Sequence, residues 1–187
     1  RPHYFILLMP SLSLFAGMGA SSFLKLAPTR HGLKRQYLLC AVAVILATPL
    51  YIQKTFFFKM SVSEIARHTY GLNPFSESID ISRYIKENTN EDDVIAILGS
   101  EPQVYFYSKR KSATRFLYMY PLTEKHRYAR AMQFQMIKEI ELSEPKYILV
   151  VNVPTSWLWR EKSSRLLLAW SPDYLEKGYE ISGVVDI

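Results

Sequence analysis

The chain has 187 residues and a net charge of +6, from 23 Lys and Arg against 17 Asp and Glu, with a single cysteine. That length holds one compact domain plus further segments. One cysteine excludes intrachain disulfides and metal sites built on paired cysteines, while the positive balance suits anionic partners such as lipid headgroups or phosphates.

The first residue is Arg1, so the chain reads as the tail of something longer or as a processed product. Long apolar runs dominate up to Phe58, and charged and aromatic residues mix beyond it. The stretch Tyr4 to Leu24 carries no charged side chain and approaches the roughly 20 residues that a membrane-crossing helix needs. Tyr37 to Ile52 is a second apolar run, extended by Thr55 to Phe58 if Lys54 reaches toward headgroups. The predicted spans are about 4–25 and 37–58. Between them, the connector 25–36 carries Lys25, Arg30, Lys34 and Arg35 and no acid. Short basic loops stay in the cytoplasm, which places the remainder outside, on a multi-pass plasma (inner) membrane protein. A rival reading takes the first run, with Gly17-Met-Gly-Ala20, as a secretory signal. The run's length and its continuation through Phe23 and Leu24 favour the span.

Residues 59–75 read as a linker ending in the turn-like Tyr70-Gly-Leu-Asn-Pro74. Ser76 is a predicted helix N-cap, with Glu77 and Asp80 well placed for the helix dipole and an apolar face from Ile79, Ile81, Tyr84 and Ile85. Val94 to Leu98, bounded by Gly99, has the continuous apolar pattern of a buried strand. A short helix is expected from Pro102 to Tyr107 and a strand over Ala113 to Tyr118. Glu124 to Leu142 form an amphipathic helix through Ala129, Met132, Met136 and Ile140. Tyr147 to Val151 is another buried strand, Arg165 to Lys177 a helix, and Tyr179 to Ile187 a last edge strand. The alternation predicts, over 76–187, an extracytoplasmic α/β domain of three layers with a mostly parallel sheet of about four strands. The expected fold is thus two transmembrane α-helices followed by this domain.

No Gly-rich phosphate loop follows a strand, no nucleophile elbow is present, and His3, His31, His68 and His126 lack ligand spacing. Neither a catalytic residue nor a metal or other cofactor is assigned. Asp92 and Asp93 sit at a turn, where solvation is commoner than acid–base work. The informative stretch runs from Leu98 to Arg115, beginning where α/β sheets place their binding crevices. Glu101, Gln103, Tyr105 and Tyr107 offer hydrogen bonds and stacking surfaces. Lys109, Arg110, Lys111 and Arg115 add positive charge, joined by Lys125, Arg127 and Arg130, and arginine grips phosphate through paired bonds. The competing reading makes the tyrosines core and the basic residues a solvated face, the commoner fate of charge runs. Nucleic acid is not an expected partner. Trp157 and Trp159 suit either a bilayer interface or a cap over the sheet, and both remain open.

The opening Arg1-Pro-His-Tyr-Phe-Ile-Leu-Leu-Met-Pro10 resembles the entry to a late helix of polytopic GT-C glycosyltransferases. These are the relatives of protein O-mannosyltransferases (family 39) and of aminoarabinose transferases acting on lipid A. Asp92-x-Val94, Tyr105-Phe-Tyr-x-x-Arg110 and Arg115-Phe116 likewise resemble the tail domain of bacterial members. The resemblance implies sugar transfer from a polyprenyl-phosphate donor to an extracytoplasmic acceptor, with the catalytic acid in an upstream loop outside this chain. It also implies membrane lipids and upstream transmembrane helices as partners. Arg1, His3 and Tyr4 would face the donor phosphate from the membrane boundary, and Arg110 and Arg115 from the domain. The alternative function is a non-enzymatic, membrane-anchored module that binds a ligand or partner.

Overall fold

The computed structural model describes residues 6–26 and 32–187. The chain divides into two compact units, the first ending at Met60 and the second running from Ser61 to Ile187.

In the first unit, helix α1 spans Met9–Leu26, α2 spans Gly32–Ile52 and α3 spans Lys54–Phe58. No described side chain of α1 or α2 is buried. Among the described residues no helix is long and apolar enough to cross a membrane. This corrects the expectation of two spans, and with it the placement as a multi-pass inner-membrane protein. The physical reason lies in the lengths and in the polar content. The 18 residues of α1 reach about 27 Å at a rise of roughly 1.5 Å per residue, against a hydrocarbon core of about 30 Å. They also include Ser11, Ser13, Ser21, Ser22 and Lys25. Helix α2 begins within the basic stretch, and the extension predicted through Phe58 fails because the helix ends at Ile52. Gln53 is a turn residue, and α3 starts afresh at Lys54, whose ammonium sits 5.0 Å from the centre of the Tyr51 ring.

In the second unit, the segment expected as a linker contains helix α4, Val62–Tyr70. Ser61 Oγ accepts from the Glu64 N–H, and Glu64 Oε2 accepts from the Ser61 N–H at 2.7 Å, a reciprocal capping box. Helix α5 covers Glu77–Glu87. Ser76 precedes it in helical conformation and makes no cap; its hydroxyl meets Ser63 Oγ at 2.8 Å. Strand β1 is Val94–Leu98, α6 is Gln103–Ser108 and β2 is only Lys111–Ser112. There follow α7 (Tyr120–Thr123), α8 (Ala129–Ser143), β3 (Tyr147–Val150), α9 (Pro154–Trp157) and α10 (Leu166–Gly178).

Among the described residues the sheet has three strands in the order β2-β1-β3, both pairs parallel, where about four were expected. The Ala113 N–H still donates to the Ile95 carbonyl at 2.8 Å, but residues 113–118 form no strand, and 179–187 run unpaired and outside the sheet. The register sets Ile95 opposite Ser112 on one side and Tyr147 on the other. Alternation along β1 then separates two clusters. Ile95 and Ile97 join Ile85, Val104 and Tyr105 from α5 and α6. Ala96 and Leu98 join Leu122, Met136, Ile137, Ile140, Trp157 and Leu167 from α7 to α10. Each fully buried Ile or Leu of β1 contributes about 1.5–3 kcal/mol relative to exposure, so this strand organises the unit.

Candidate functional site

The C-terminal end of β1 is where a parallel sheet usually opens a crevice. Here the chain closes it. A Cβ on Gly99 would lie 2.7 Å from Val151 Cβ and Cγ2 and 2.8 Å from Ser156 Oγ, so only glycine lets β3 and α9 approach this closely. The Ser100 N–H donates to Ser156 Oγ at 2.7 Å, and Ser100 Oγ accepts from the Met119 N–H at 3.0 Å. Trp157 Nε1 donates to the Val151 carbonyl, and Thr123 Oγ1 donates to the carbonyl of Trp157, both at 2.7 Å. Met119, Thr123, Ser156 and Trp157 are all buried. Of the two roles left open for the tryptophans, Trp157 takes the one inside the fold, stacked on Trp159 at 5.1 Å.

The predicted site residues are dispersed by the same folding. Glu101 is buried and accepts from Gln103 Nε2 at 2.8 Å, which also donates to Ser78 Oγ. Tyr105 is on the buried side of α6, and its hydroxyl accepts from the Ile97 N–H at 3.1 Å. That bond completes β1 where β2 has already ended. Burial pushes the Tyr105 phenol above its usual range, outweighing the hydrogen bonds from Ser112 and Ile97. Tyr107 is exposed. Arg110 is buried, and its guanidinium donates to five acceptors: Thr89 Oγ1 at 2.7 Å, the Thr89 carbonyl at 2.8 Å, and the carbonyls of Lys86, Ser108 and Lys109. It thereby caps the C-terminal end of α5, where exposed carbonyls and the helix dipole favour a cation. Arg115 lies on the surface and pairs with Glu139 at 2.6 Å. Arg1, His3 and Tyr4 lie outside the described residues. Asp93 closes its own turn by accepting from the Asn90 N–H at 2.7 Å.

Other polar groups that sequence reasoning passed over prove central. Gln133 on α8 is fully buried: Nε2 donates to the carbonyls of Leu122 and Ser164, both at 2.7 Å, and Oε1 accepts from the Leu167 N–H. One amide thus ties α7, α8 and the start of α10 together. Arg67 pairs with Glu77, joining α4 to α5. The capping box of α4 had a legible signal in Ser61-x-x-Glu64, whereas nothing local marks Gln133. Among the described residues no three His, Cys, Asp or Glu side chains gather as a metal site.

What the stretch 101–115 presents outward is Phe106, Tyr107, Lys109, Lys111 and Arg115. Phe106, 77% exposed, and Tyr107 form an edge-to-face pair with ring centres 5.4 Å apart. Lys109, in left-handed conformation at φ 56°, and Lys111 on the edge strand follow, both exposed.

Residues 75–166 match the Ccs4_C family model, described as "Putative competence-induced protein Ccs4 C-terminal domain". The matched segment is similar to that family and runs from just before α5 to the start of α10. No curated protein and no solved structure matches the chain. The matching family is not a GT-C glycosyltransferase family, which overturns the resemblance drawn from Arg1–Pro10 and Asp92–Phe116. Polyprenyl-phosphate sugar transfer falls with it.

Proposed function

We propose that the unit 61–187 is a non-catalytic binding module for an acidic partner protein, docking on the face formed by Phe106, Tyr107, Lys109 and Lys111. The observation that carries this reading is the contrast at the end of β1. The crevice where chemistry would sit is filled by Met119, Ser156 and Trp157, while the adjoining helix α6 turns two aromatic rings into solvent. Exposed aromatic side chains cluster at protein-binding hot spots because they bury much area for little conformational entropy. The two lysines make the rim positive, which favours acidic surfaces and speeds encounter. Glu101, Gln103, Tyr105 and Arg110 support the face from within. Tyr107 belongs to it directly, while Arg115 is tied to Glu139 of α8 instead. All of these residues lie within the segment 75–166 that matches the Ccs4 C-terminal domain family model.

The test is fluorescence-anisotropy titration of the chain with a labelled peptide of alternating Glu and Leu. Phe106→Ala with Tyr107→Ala, and separately Lys109→Ala with Lys111→Ala, should each weaken binding by about tenfold or more, roughly 1.4 kcal/mol. Urea unfolding of both variants should match the parent. Higher salt should weaken the parent and spare the lysine variant. Binding untouched by both pairs of substitutions, or absent from the parent, refutes the proposal.

A further inference from the structure

We infer that the chain forms a homodimer by strand exchange, in which residues 181–187 of each copy add to the free edge of β3 in the other. The two halves of an unmade strand pair are both present. Strand β3 pairs only with β1, so its outer edge has no strand beside it among the described residues. The edge is short but apolar: Tyr147, Ile148 and Leu149 are half-buried and Val150 is exposed. An edge with no strand beside it is a template for another chain.

The segment after α10 has the complementary pattern. Ile181, Val185 and Ile187, with Gly183 between, fall on one side of an extended chain, and Ser182, Val184 and Asp186 on the other. That alternation belongs to a half-buried strand, yet Ile181 and Val184 are each 87% exposed and nothing covers Val185 or Ile187 fully. The segment carries Glu180 and Asp186 and no base, and β3 is preceded by the exposed Glu144 and Lys146, of which Lys146 adjoins the strand. Its root is held firmly. The Tyr179 hydroxyl donates to the Pro145 carbonyl at 2.9 Å, beside the start of β3, and the ring lies 5.7 Å from that of Tyr174. The single chain nevertheless leaves the segment off its own edge, so that edge stays available to a second copy. Reciprocal use of one tail and one edge closes a two-fold dimer without leaving an open end. Backbone ladder bonds supply the affinity, and the alternate apolar side chains fix the register.

Two measurements on the full chain decide it. Sedimentation equilibrium between about 1 and 100 μM should show a monomer–dimer equilibrium. Hydrogen exchange over the same range should slow at the Tyr147 and Leu149 amides by about tenfold or more as the dimer fills. Ending the chain after Glu180 should leave a monomer with fast exchange at those two amides and unchanged slow exchange from Ile95 to Leu98. Val185→Lys with Ile187→Lys, which keeps the length, should do the same. A dimer that survives both changes, protection of Tyr147 and Leu149 that ignores concentration, or a parent that stays monomeric overturns the inference.

Discussion

Replacing Arg110 by methionine keeps a long apolar stem and removes the guanidinium fork. In the folded unit that fork donates to Thr89 Oγ1 and the Thr89 carbonyl at 2.7 and 2.8 Å, and to the carbonyls of Lys86, Ser108 and Lys109 at 3.1–3.2 Å. A hydrogen bond from a charged group contributes about 1.5–3 kcal/mol net, and a buried acceptor left unpaired costs about 1–3 kcal/mol. Counting the two short bonds fully, and letting water reach part of the freed carbonyls, the loss comes to about 3–4 kcal/mol. With a urea m-value of about 2 kcal/mol/M for a domain of this size, the unfolding midpoint falls by roughly 1.5–2 M. All three tryptophans lie in this unit, so their fluorescence reports its unfolding directly. Arg110→Lys should recover only part of the loss, because an ammonium cannot bridge Thr89 and Lys86 at once. A shift below about 0.5 kcal/mol for Arg110→Met, the size typical of surface substitutions, would show that the guanidinium is free for a ligand and would refute the capping role.

Three further outcomes follow from the same geometry. Gly99→Ala forces a methyl against Val151 and Ser156 and should lower stability by about 1–3 kcal/mol in the same urea assay. Tyr105→Phe leaves the Ile97 N–H of β1 unpaired, costing about 1–3 kcal/mol. The raised Tyr105 pKa means the folded state favours the neutral phenol. Its contribution is therefore present below pH 10 and lost as pH rises through the higher folded value, so the parent should lose more stability than the Phe variant under alkaline titration. Glu64 has the opposite sign: the Ser61 backbone and hydroxyl bonds lower its pKa. Its support of α4 is present above its ordinary value and lost as pH falls through the lowered one. Amide chemical shifts of Ser61 and Glu64 should follow that titration in the parent, and Glu64→Gln should abolish it.

Local patterns carried much of the second unit. The apolar run Val94–Leu98 ending at Gly99 is β1, since a continuous stretch of branched residues bounded by glycine has few other uses in a parallel sheet. Ala129, Met136 and Ile140 are buried along α8, as their spacing implied. The capping box at Ser61 and Glu64 was legible by the same local logic and was passed over as linker. Where local logic gave out, it did so for identifiable reasons. Residues 37–58 have the composition of one long apolar helix, but the break at Gln53 divides them. Residues 179–187 have a strand's alternation but no neighbour within the chain.

By itself, then, the sequence determined periodicity, because side-chain spacing along a helix or strand is a property of the local backbone. It could not determine the fate of its polar groups. Whether Arg110 meets a phosphate or the Lys86 and Thr89 acceptors at the end of α5, and whether Gln133 faces water or the start of α10, depends on which segments arrive there from 21 to 34 positions away. The filling of the crevice after Gly99 was likewise decided only when Ser156 and Met119 came to rest beside Ser100. Hydrogen-bond partners distant in sequence are set by chain topology, and the residue types that make a ligand site also make a well-satisfied interior.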